Sequence, residues 1–134
     1  MALGTDYIDL LLIHRPSCMM DADQVAAAFR ELKVSGKVRH FGVSNFKPFQ
    51  LTLLQSRLDF PLATNQIELN PLCLDSLHDG TLDQAQELNM SPMIWSPLAG
   101  GRLFSTNQDE KCSRVQKILK SLAARYNVSV DQLM

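Results

Sequence analysis

Four short apolar stretches recur at nearly regular distances along this sequence. As strands they would cover Ile8–Ile13, Val38–Val43, Thr64–Leu69 and Pro92–Trp95, with successive starts 30, 26 and 28 residues apart. This spacing is that of a strand followed by a helix, repeated four times. No Gly-x-Gly-x-x-Gly pattern follows the first stretch, so the fingerprint of a Rossmann-type dinucleotide fold is lacking. The sequence therefore predicts an α/β fold, a parallel (β/α) repeat that forms about half of a TIM (β/α)8 barrel.

Helical periodicity fills the intervals between these strands. In the first helix, Asp21 and Gln24 have the spacing of a capping box, and Gly36 suits the C′ position. Its apolar stripe consists of Val25, Ala28, Phe29 and Leu32. Later helices are predicted from Phe49, Leu53 and Leu54 after Pro48, from Leu82, Ala85 and Leu88 after a capping box of Thr81 and Gln84, and from Val115, Ile118, Leu119 and Leu122.

Charge and cysteine usage restrict the partners and the compartment. Charged residues make up 20% of the chain and the net charge is −1, so we expect no nucleic-acid partner. The chain has no apolar run of membrane-spanning length and no signal-peptide pattern at its start, so we expect no membrane partner. Cys18, Cys73 and Cys112 are odd in number and form no Cys-x-x-Cys pair, which argues against disulfides and structural zinc. These features predict a cytoplasmic protein.

Polar residues stand where the predicted strands end. Ser44 and Asn45 follow the second strand, and Pro48 then suits the first turn of a helix. In parallel α/β folds the strand ends converge on one rim, where ligands bind. A simpler interpretation of Ser44 and Asn45 is that they begin a loop or cap the next helix. The other strand ends contribute His14, Gln66, Trp95 with Ser96, and the glycines Gly100 and Gly101.

Together these groups suit a planar ring that carries an amide and phosphates. Trp95 can stack on such a ring while the neighbouring polar groups hold its carboxamide. The backbone N–H groups of a glycine loop can approach an anion closely. His14 can polarise or protonate an oxygen beside it. Glu68 and Asn70 share the Gln66 side of the third strand and could contact a substrate.

Four segments resemble the aldo-keto reductases in their order and spacing. They are DYIDLLLIHRP (Asp6–Pro16), GKVRHFGVSNF (Gly36–Phe46), TNQIELNP (Thr64–Pro71) and IWSPLAGGRL (Ile94–Leu103). Members of that family reduce carbonyl compounds with a nicotinamide cofactor on an (α/β)8 barrel. The resemblance implies that NADP(H) is the cofactor and that His14 is the tetrad histidine that orients the substrate carbonyl. It also implies that Ser44, Asn45 and Gln66 hold the carboxamide, that Trp95 stacks on the ring, and that Ser96, Leu98, Gly100 and Gly101 line the pyrophosphate path.

Other parts of the family pattern fall outside this sequence. The general-acid tyrosine, the aspartate and the lysine of the tetrad lie on earlier strands of the family barrel, and the segment that selects the 2′-phosphate lies on its last strand. The resemblance thus covers strands four to seven, and we expect residues 1–134 to be one partial barrel domain, truncated at both ends. Leu3-Gly4 as the tail of a helix, and Ser129 with Gln132 as the start of another, agree with this expectation.

Three functions remain open from the sequence. The first is an NADP(H)-dependent reductase of small carbonyl compounds, which we expect to be inactive as the 134-residue chain alone. The second is a non-catalytic truncated barrel that acts as an interaction or structural subunit. The third is a metal-dependent barrel hydrolase using His14 and Glu68, although a catalytic zinc normally takes three protein ligands. A homodimer through open barrel edges is also expected, with inner-face residues that lack an opposing half, namely Leu11, Ile13, Val43 and Ile67.

Overall fold

The computed structural model describes residues 4–105 and 109–134, in which strands alternate with helices. The strands are β1 (Ile8–Ile13), β2 (Val38–Ser44), β3 (Asn65–Glu68) and β4 (Met93–Trp95). The α-helices are α1 (Ala22–Val34), α2 (Pro48–Gln55), α3 (Thr81–Glu87), α4 (Glu110–Tyr126) and α5 (Val130–Leu133), and 3₁₀ segments cover Asp75–Leu77 and Ala99–Phe104. The predicted strand–helix repeat is confirmed. The helix tail predicted at Leu3 lies outside the described residues.

The described strands form one sheet in the order β1-β2-β3-β4. β2 pairs in parallel with both neighbours, which places Leu12 opposite Gly42 and Ser44 opposite Gln66. Gly42 leaves no room for a side chain, because a Cβ there would lie 2.6 Å from Cδ2 of Leu12 and 2.7 Å from the carbonyl oxygen of Thr64. The predicted class, an α/β fold with a parallel sheet, is therefore confirmed.

The chain divides into two compact units, Met1–Ile67 with Leu77–Met93 and Glu68–Ser76 with Ile94–Met134. The core of the first unit is centred on Phe29 of α1 and Phe41 of β2, whose rings stack with centroids 4.3 Å apart. Around this pair lie further buried residues, namely Val38, Val43, Phe46, Leu51, Leu54 and Leu62. Burial of a large apolar side chain contributes about 1.5–3 kcal/mol, so this layer is the main source of stability in the first unit.

The expectation that four strand residues lack cover is wrong. Val43 and Ile67 are buried within the described chain, and Leu11 and Ile13 pack against the core of the first unit. The reason is the two-residue period of a strand, which points alternate side chains to opposite faces. In β1 that period turns Leu11 and Ile13 toward the cluster that contains helix residues, whereas Leu12 lies over Gly42.

Helix α1 begins and ends as predicted. The Asp21 carboxylate accepts hydrogen bonds from the backbone N–H groups of Asp23 and Gln24 at 2.9 and 3.2 Å. Gly36 has φ +71, and the backbone N–H groups after the helix bond back to carbonyls of the last turn in a Schellman arrangement. Of the predicted stripe, Phe29 is buried and Ala28 is exposed, while the small residues Ala22 and Ala26 complete the buried face.

The apolar faces predicted for two later helices are partly wrong. In α2 the buried residues are Leu51 and Leu54, and Phe49 is 73% exposed. Leu53 is also exposed, because in a short helix the 3.6-residue period allows only one narrow stripe to face the sheet. In α4, Leu119 is buried as predicted, whereas Ile118 and Leu122 are exposed and the buried face is completed by Cys112 and Ala123.

The N-termini of α2 and α3 are joined by side-chain contacts. The predicted capping box of Thr81 and Gln84 is not formed, because Gly80, with φ +83, precedes α3 as its N-cap. Gln84 instead donates to the carbonyl oxygen of Pro48 at 2.8 Å and to Oγ1 of Thr52 at 2.8 Å. These bonds tie the first turn of α3 to the first turns of α2.

Asp79 is part of the same connection. Its Oδ2 pairs with Nζ of Lys47 at 2.6 Å, and its Oδ1 accepts the backbone N–H of Thr81 at 3.0 Å. Burial alone raises the pKa of the Asp79 carboxyl, but the hydrogen bonds from Lys47 and Thr81 and the charge of Lys47 together lower it below its ordinary value. The charged form of Asp79 is therefore the one that the fold stabilises.

The second unit has a smaller core beneath α4. Its buried residues are Ala99, Leu103, Cys112 and Leu119, against which Leu72, Val115, Val130 and Leu133 pack. Asp109 caps α4 by accepting the N–H of Cys112 at 2.7 Å. The predicted helix start after Ser129 is confirmed, since Oε1 of Gln132 accepts the N–H of Ser129 at 3.0 Å. Among residues 4–105 and 109–134 there is no helix of the length and apolarity that a bilayer span requires.

We predict that Asp79→Ala lowers the free energy of unfolding by about 1 kcal/mol at neutral pH, the typical cost of losing a capping side chain. The folded-state pKa of Asp79 is lowered, so its contribution is complete above the ordinary carboxyl pKa and is lost as the pH falls through the lowered value. Urea unfolding should therefore show the difference between variant and wild type shrinking below about pH 4.

The control for this experiment is Asp59→Ala. Asp59 pairs with Arg30 at 3.4 Å, and both side chains are largely exposed. Exposed pairs contribute little, so this change should alter the free energy of unfolding by less than about 0.5 kcal/mol. A difference between Asp79→Ala and wild type that stays constant from neutral to acidic pH would contradict the role given to the Asp79 charge.

Candidate functional site

Four residues predicted at strand ends come together in the first unit. Oγ of Ser44 donates to the carbonyl oxygen of Gln66 at 2.9 Å and accepts from Nδ2 of Asn45 at 2.9 Å. The backbone N–H of Asn45 also donates to the Gln66 carbonyl at 2.9 Å. Nδ2 of Asn45 further donates to the carbonyl oxygen of His14 at 3.3 Å. Side chains at the end of β2 are thus hydrogen-bonded to β3 and to the residue that follows β1.

The backbone turns sharply at Asn45, which has φ +60. Asparagine tolerates this left-handed region better than most residues, because its short side chain can bond to nearby backbone. The turn sends buried Phe46 into the core, where its N–H and carbonyl bond to the side chain of Asn65 at 3.4 and 2.8 Å. The sequence interpretation missed Asn65. Its signal is an asparagine inside a strand, where that residue type is depleted.

The hydrogen-bond partners distinguish side chains that hold the protein backbone in place from side chains whose polar groups are available to a ligand. Ser44 is 2% exposed and its hydroxyl proton is directed at the Gln66 carbonyl, so Ser44 supports the site. The Gln66 side chain is half-buried, and within the described residues its amide takes part in no hydrogen bond. The same holds for the exposed imidazole of His14. Gln66 can therefore offer both a donor and an acceptor, as recognition of a carboxamide requires.

The second unit carries the other predicted residues, on the segment that follows β4. Trp95 is half-buried, and the next residue, Ser96, has φ +52. Ala99, Gly100 and Gly101 also have positive φ values of 53, 62 and 82. Non-glycine residues in this region cost about 1–3 kcal/mol each, and such strain is concentrated at functional sites. The segment Ser96–Gly101, called here the glycine loop, therefore combines strain with the predicted anion-binding residues.

The backbone of the glycine loop is only partly bonded to itself. The carbonyl of Ser96 accepts the N–H of Ala99 at 2.8 Å, and the carbonyl of Leu98 accepts the N–H of Gly101 at 3.0 Å. The N–H of Gly100 has no acceptor in the part of the chain that the structure describes. A Cβ at Gly100 or Gly101 would meet no atom within 4 Å, so the backbone there is open to an approaching group. Exposed N–H groups of this kind bind anions.

Asn70, which also belongs to the second unit, bonds the first residue of the glycine loop. It is 4% exposed, and its Nδ2 donates to Oε1 of Glu68 and to the carbonyl of Ser96, both at 3.1 Å. Its Oδ1 accepts the N–H groups of Leu72 and Cys73 at 2.9 and 3.0 Å. The expectation that Asn70 contacts a substrate is therefore wrong, because its hydrogen-bonding groups are all used by the protein. Glu68 is half-buried.

The structure offers no ready metal site in the residues it describes. No group of three or more His, Cys, Asp or Glu side chains that could hold a metal ion lies within residues 4–105 and 109–134. Cys18, Cys73 and Cys112 are free thiols. The hydrolase hypothesis built on His14 and Glu68 gains no support from this part of the chain.

Comparison with known protein families and curated proteins gives a consistent result. The model of the aldo/keto reductase family matches residues 1–134. Oxidoreductase YdhF of Escherichia coli is 65% identical over 133 residues, which is 98% of this chain and 44% of that protein. A 6-dehydroglucose reductase of Agrobacterium fabrum is 48% identical over 118 residues, 88% of this chain and 40% of that protein. The chain thus spans less than half the length of these relatives.

Solved structures give the same family. A thermostable aldo-keto reductase solved with the inhibitor epalrestat superposes with a TM-score of 0.84 and 30% identity, covering 98% of this chain and 45% of that one. An aldo/keto reductase of Klebsiella pneumoniae, solved with NADP and acetate, gives a TM-score of 0.78 and 26% identity, covering 98% of this chain and 44% of that one. The chain has the fold of about half of such a barrel, and it belongs to the aldo/keto reductase family.

Proposed function

We propose that this chain provides the cofactor-binding part of an NADP(H)-dependent oxidoreductase that reduces aldehydes and ketones to alcohols. The observation that carries the proposal is the linked group of Ser44, Asn45 and Gln66, which leaves the Gln66 amide without a protein partner in the described residues. A nicotinamide carboxamide is planar and has one acceptor and two donors, which matches that amide. One relative of known structure is described with NADP bound.

Each residue of the first unit has a distinct role in this proposal. Gln66 bonds the carboxamide directly. The amide nitrogen of Asn45 donates to Ser44 and to the carbonyl of His14, so in this proposal Asn45 helps to hold the carboxamide as part of the same bonded group. Ser44 holds Asn45 and the Gln66 backbone in place. The bound cofactor supplies the hydride, and these residues fix the position of its ring.

His14 is the residue of this chain that we assign to the substrate carbonyl. Its ring is exposed at the end of β1, and its own carbonyl oxygen is held by Asn45, which restrains the backbone that carries the ring. An imidazole can donate a hydrogen bond to the carbonyl oxygen and so favour the charge that develops there during reduction. Tyr7 precedes β1 and Tyr126 ends α4. Neither stands at the carboxyl end of a strand, so a general acid would come from sequence outside this chain.

In the second unit we propose that Trp95 stacks on the nicotinamide ring and that the glycine loop binds the pyrophosphate. Ser96, Leu98, Gly100 and Gly101 provide that path, and the Gly100 N–H is directed at no protein acceptor in the described residues. Small residues with open space above the backbone let a phosphate come close. The substrate class is a small carbonyl compound, and one relative is named for a dehydrogenated sugar. The free thiols fit a reducing cytoplasm.

A second candidate function is a non-catalytic interaction subunit, and one surface favours it. On α4, Ile118, Leu122 and Tyr126 follow one another at four-residue intervals, so they share a face, and all three are exposed. In addition β1 and β4 end the described sheet, and open edges invite pairing with other chains. We therefore propose a homodimer as the folded form of the isolated chain.

The first test concerns His14 in a longer protein that contains this sequence. His14→Ala should lower the rate of carbonyl reduction by about 10²–10⁴-fold, the usual contribution of a positioned acid, base or polarising group. Cofactor affinity should change much less. The matched control is His78→Ala, since His78 is also exposed but lies in a loop before α3. Equal turnover of the His14 and His78 variants would remove His14 from the mechanism.

The second test uses Trp95, the single tryptophan of the chain. Titration with NADP⁺ should quench its fluorescence if it stacks on the nicotinamide. Trp95→Ala should weaken binding by up to about tenfold, since stacking contributes about 0.5–1.5 kcal/mol beyond burial. Trp95→Phe keeps an aromatic face and should retain most of the affinity in calorimetry. Tight cofactor binding with constant Trp95 emission would exclude this placement.

The third test concerns the 134-residue chain by itself. Light scattering after size exclusion should give the mass of a dimer, and an assay of NADPH consumption with an aromatic aldehyde should give no turnover. The reasons are the open edges β1 and β4 and the lack of a tyrosine at a strand end in the described chain. A stable monomer that oxidises NADPH in step with loss of the aldehyde would refute both parts.

A further inference from the structure

We propose that Asn70 is a positioning residue that holds the glycine loop in its anion-binding conformation through the carbonyl of Ser96. The identity of the anion, the cofactor pyrophosphate, rests on the proposed function. The positioning itself rests on contacts within the second unit. Asn70 touches neither substrate nor cofactor in this proposal and acts only through the backbone that it fixes.

Asn70 has no hydrogen-bonding capacity left for a ligand. A carboxamide has two N–H donors and an oxygen with two acceptor positions. Nδ2 of Asn70 faces two acceptors, the Glu68 carboxylate and the Ser96 carbonyl, and Oδ1 faces the N–H groups of Leu72 and Cys73. A flipped amide would place each atom against a group of its own kind, so the orientation of Asn70 is determined. Because the Asn70 side chain is buried and fully hydrogen-bonded, it fixes the positions of the backbone groups that it contacts.

The group that Asn70 holds is the strained start of the glycine loop. Ser96 has φ +52, a conformation that a residue with a Cβ adopts only when its surroundings impose it. Its carbonyl accepts Nδ2 of Asn70 from outside the loop and the N–H of Ala99 from inside it. The two bonds fix the orientation of the Ser96 peptide group. That orientation sets where the chain goes through Ala99 and where the Gly100 N–H points.

Trp95 reports on this arrangement because it immediately precedes Ser96 and is the single tryptophan. A change in the Ser96 peptide moves the attachment of the indole, so the emission spectrum follows the conformation of the loop. The measurement needs no cofactor. Positioning by Asn70 is thus measurable even where binding is absent.

The decisive variant is Asn70→Asp in the 134-residue chain. An oxygen remains to accept from Leu72 and Cys73, but the donor nitrogen is replaced by an oxygen that faces the Ser96 carbonyl and the Glu68 carboxylate. We expect a shifted Trp95 emission maximum and an NADP⁺ dissociation constant raised by about tenfold, the order expected for loss of one or two buried bonds. Asn70→Ala removes all the hydrogen bonds of the Asn70 side chain and should shift the Trp95 emission maximum by at least as much.

The matched control is Gln55→Ala. Gln55 also clamps a loop with its side-chain amide, donating to the carbonyl of Phe60 at 2.9 Å and accepting the N–H of Leu62 at 2.8 Å. That clamp lies in the first unit, so its loss should reduce stability but leave Trp95 emission and the dissociation constant unchanged. Circular dichroism of each variant establishes that the folded form is being compared.

Acidification separates positioning from general structural support. In Asn70→Asp the introduced carboxyl lies beside Glu68, and two adjacent carboxylates share a proton at mildly acidic pH. Only when both groups are protonated does the introduced carboxyl again have a proton to donate toward Ser96, so Trp95 emission should return toward that of wild type once the pH is low enough to protonate both. Asn70→Ala has no such group and should show no return.

Four outcomes decide the proposal. Wild-type Trp95 emission in folded Asn70→Asp would overturn it, and so would an equal shift in Gln55→Ala. A shifted emission that recovers with acid only in Asn70→Asp would support it. If that recovery is seen while the wild-type chain binds no NADP⁺, Asn70 positions the loop and the proposed cofactor function fails instead.

Discussion

The hydrogen bond from Ser44 to the carbonyl of Gln66 is the contact on which the polar part of the first unit depends. Ser44, the last residue of β2, pairs with Gln66 of β3, and the next residue, Asn45, continues this ladder with its backbone N–H. The Gln66 carbonyl is satisfied there by the Ser44 hydroxyl and the Asn45 N–H, at 2.9 Å each. Asn45 also donates to the carbonyl of His14 through Nδ2, at 3.3 Å. Bonds to two carbonyl groups, those of Gln66 and His14, thereby join the end of β2 to β3 and to the residue that follows β1.

In the second unit, Asn70 bonds backbone groups in a similar way. Here too a short polar side chain replaces backbone partners where regular structure ends, and it is buried with each of its groups bonded. Buried polar groups that are fully satisfied stabilise one conformation, whereas a single missing partner costs about 1–3 kcal/mol. In each unit a buried side-chain amide therefore bonds backbone at or next to a residue with positive φ: Asn65 bonds Phe46, which follows Asn45, and Asn70 bonds Ser96.

The sequence predicted the strands to within a residue because short apolar runs at a spacing of roughly 30 residues allow few other folds. For the same reason it predicted that polar residues at the ends of β1, β2 and β3 come together. It failed for Phe49 and Leu53, whose exposure depends on how the short helix α2 is rotated against the sheet. The roles of Asn65 and Asn70 also escaped it, since their partners include residues 19 and 26 positions away. Contacts between residues this far apart in the sequence form only in the folded chain, so a local sequence pattern does not indicate them.

The residues that a family motif assigns to one ligand do not all act on it in the same way. In the segment Ser44-Asn45, the serine hydroxyl proton and the asparagine amide nitrogen are already directed at protein oxygens. Gln66 has a side-chain amide with no partner in the described chain, and His14 has an exposed ring. To donate to a ligand, the Ser44 hydroxyl would first have to break its hydrogen bond to the Gln66 carbonyl, which joins β2 to β3. Ser44, Asn65 and Asn70 therefore hold the backbone through bonds within the protein, whereas Gln66, His14 and the glycine loop are the groups that we propose meet the ligand.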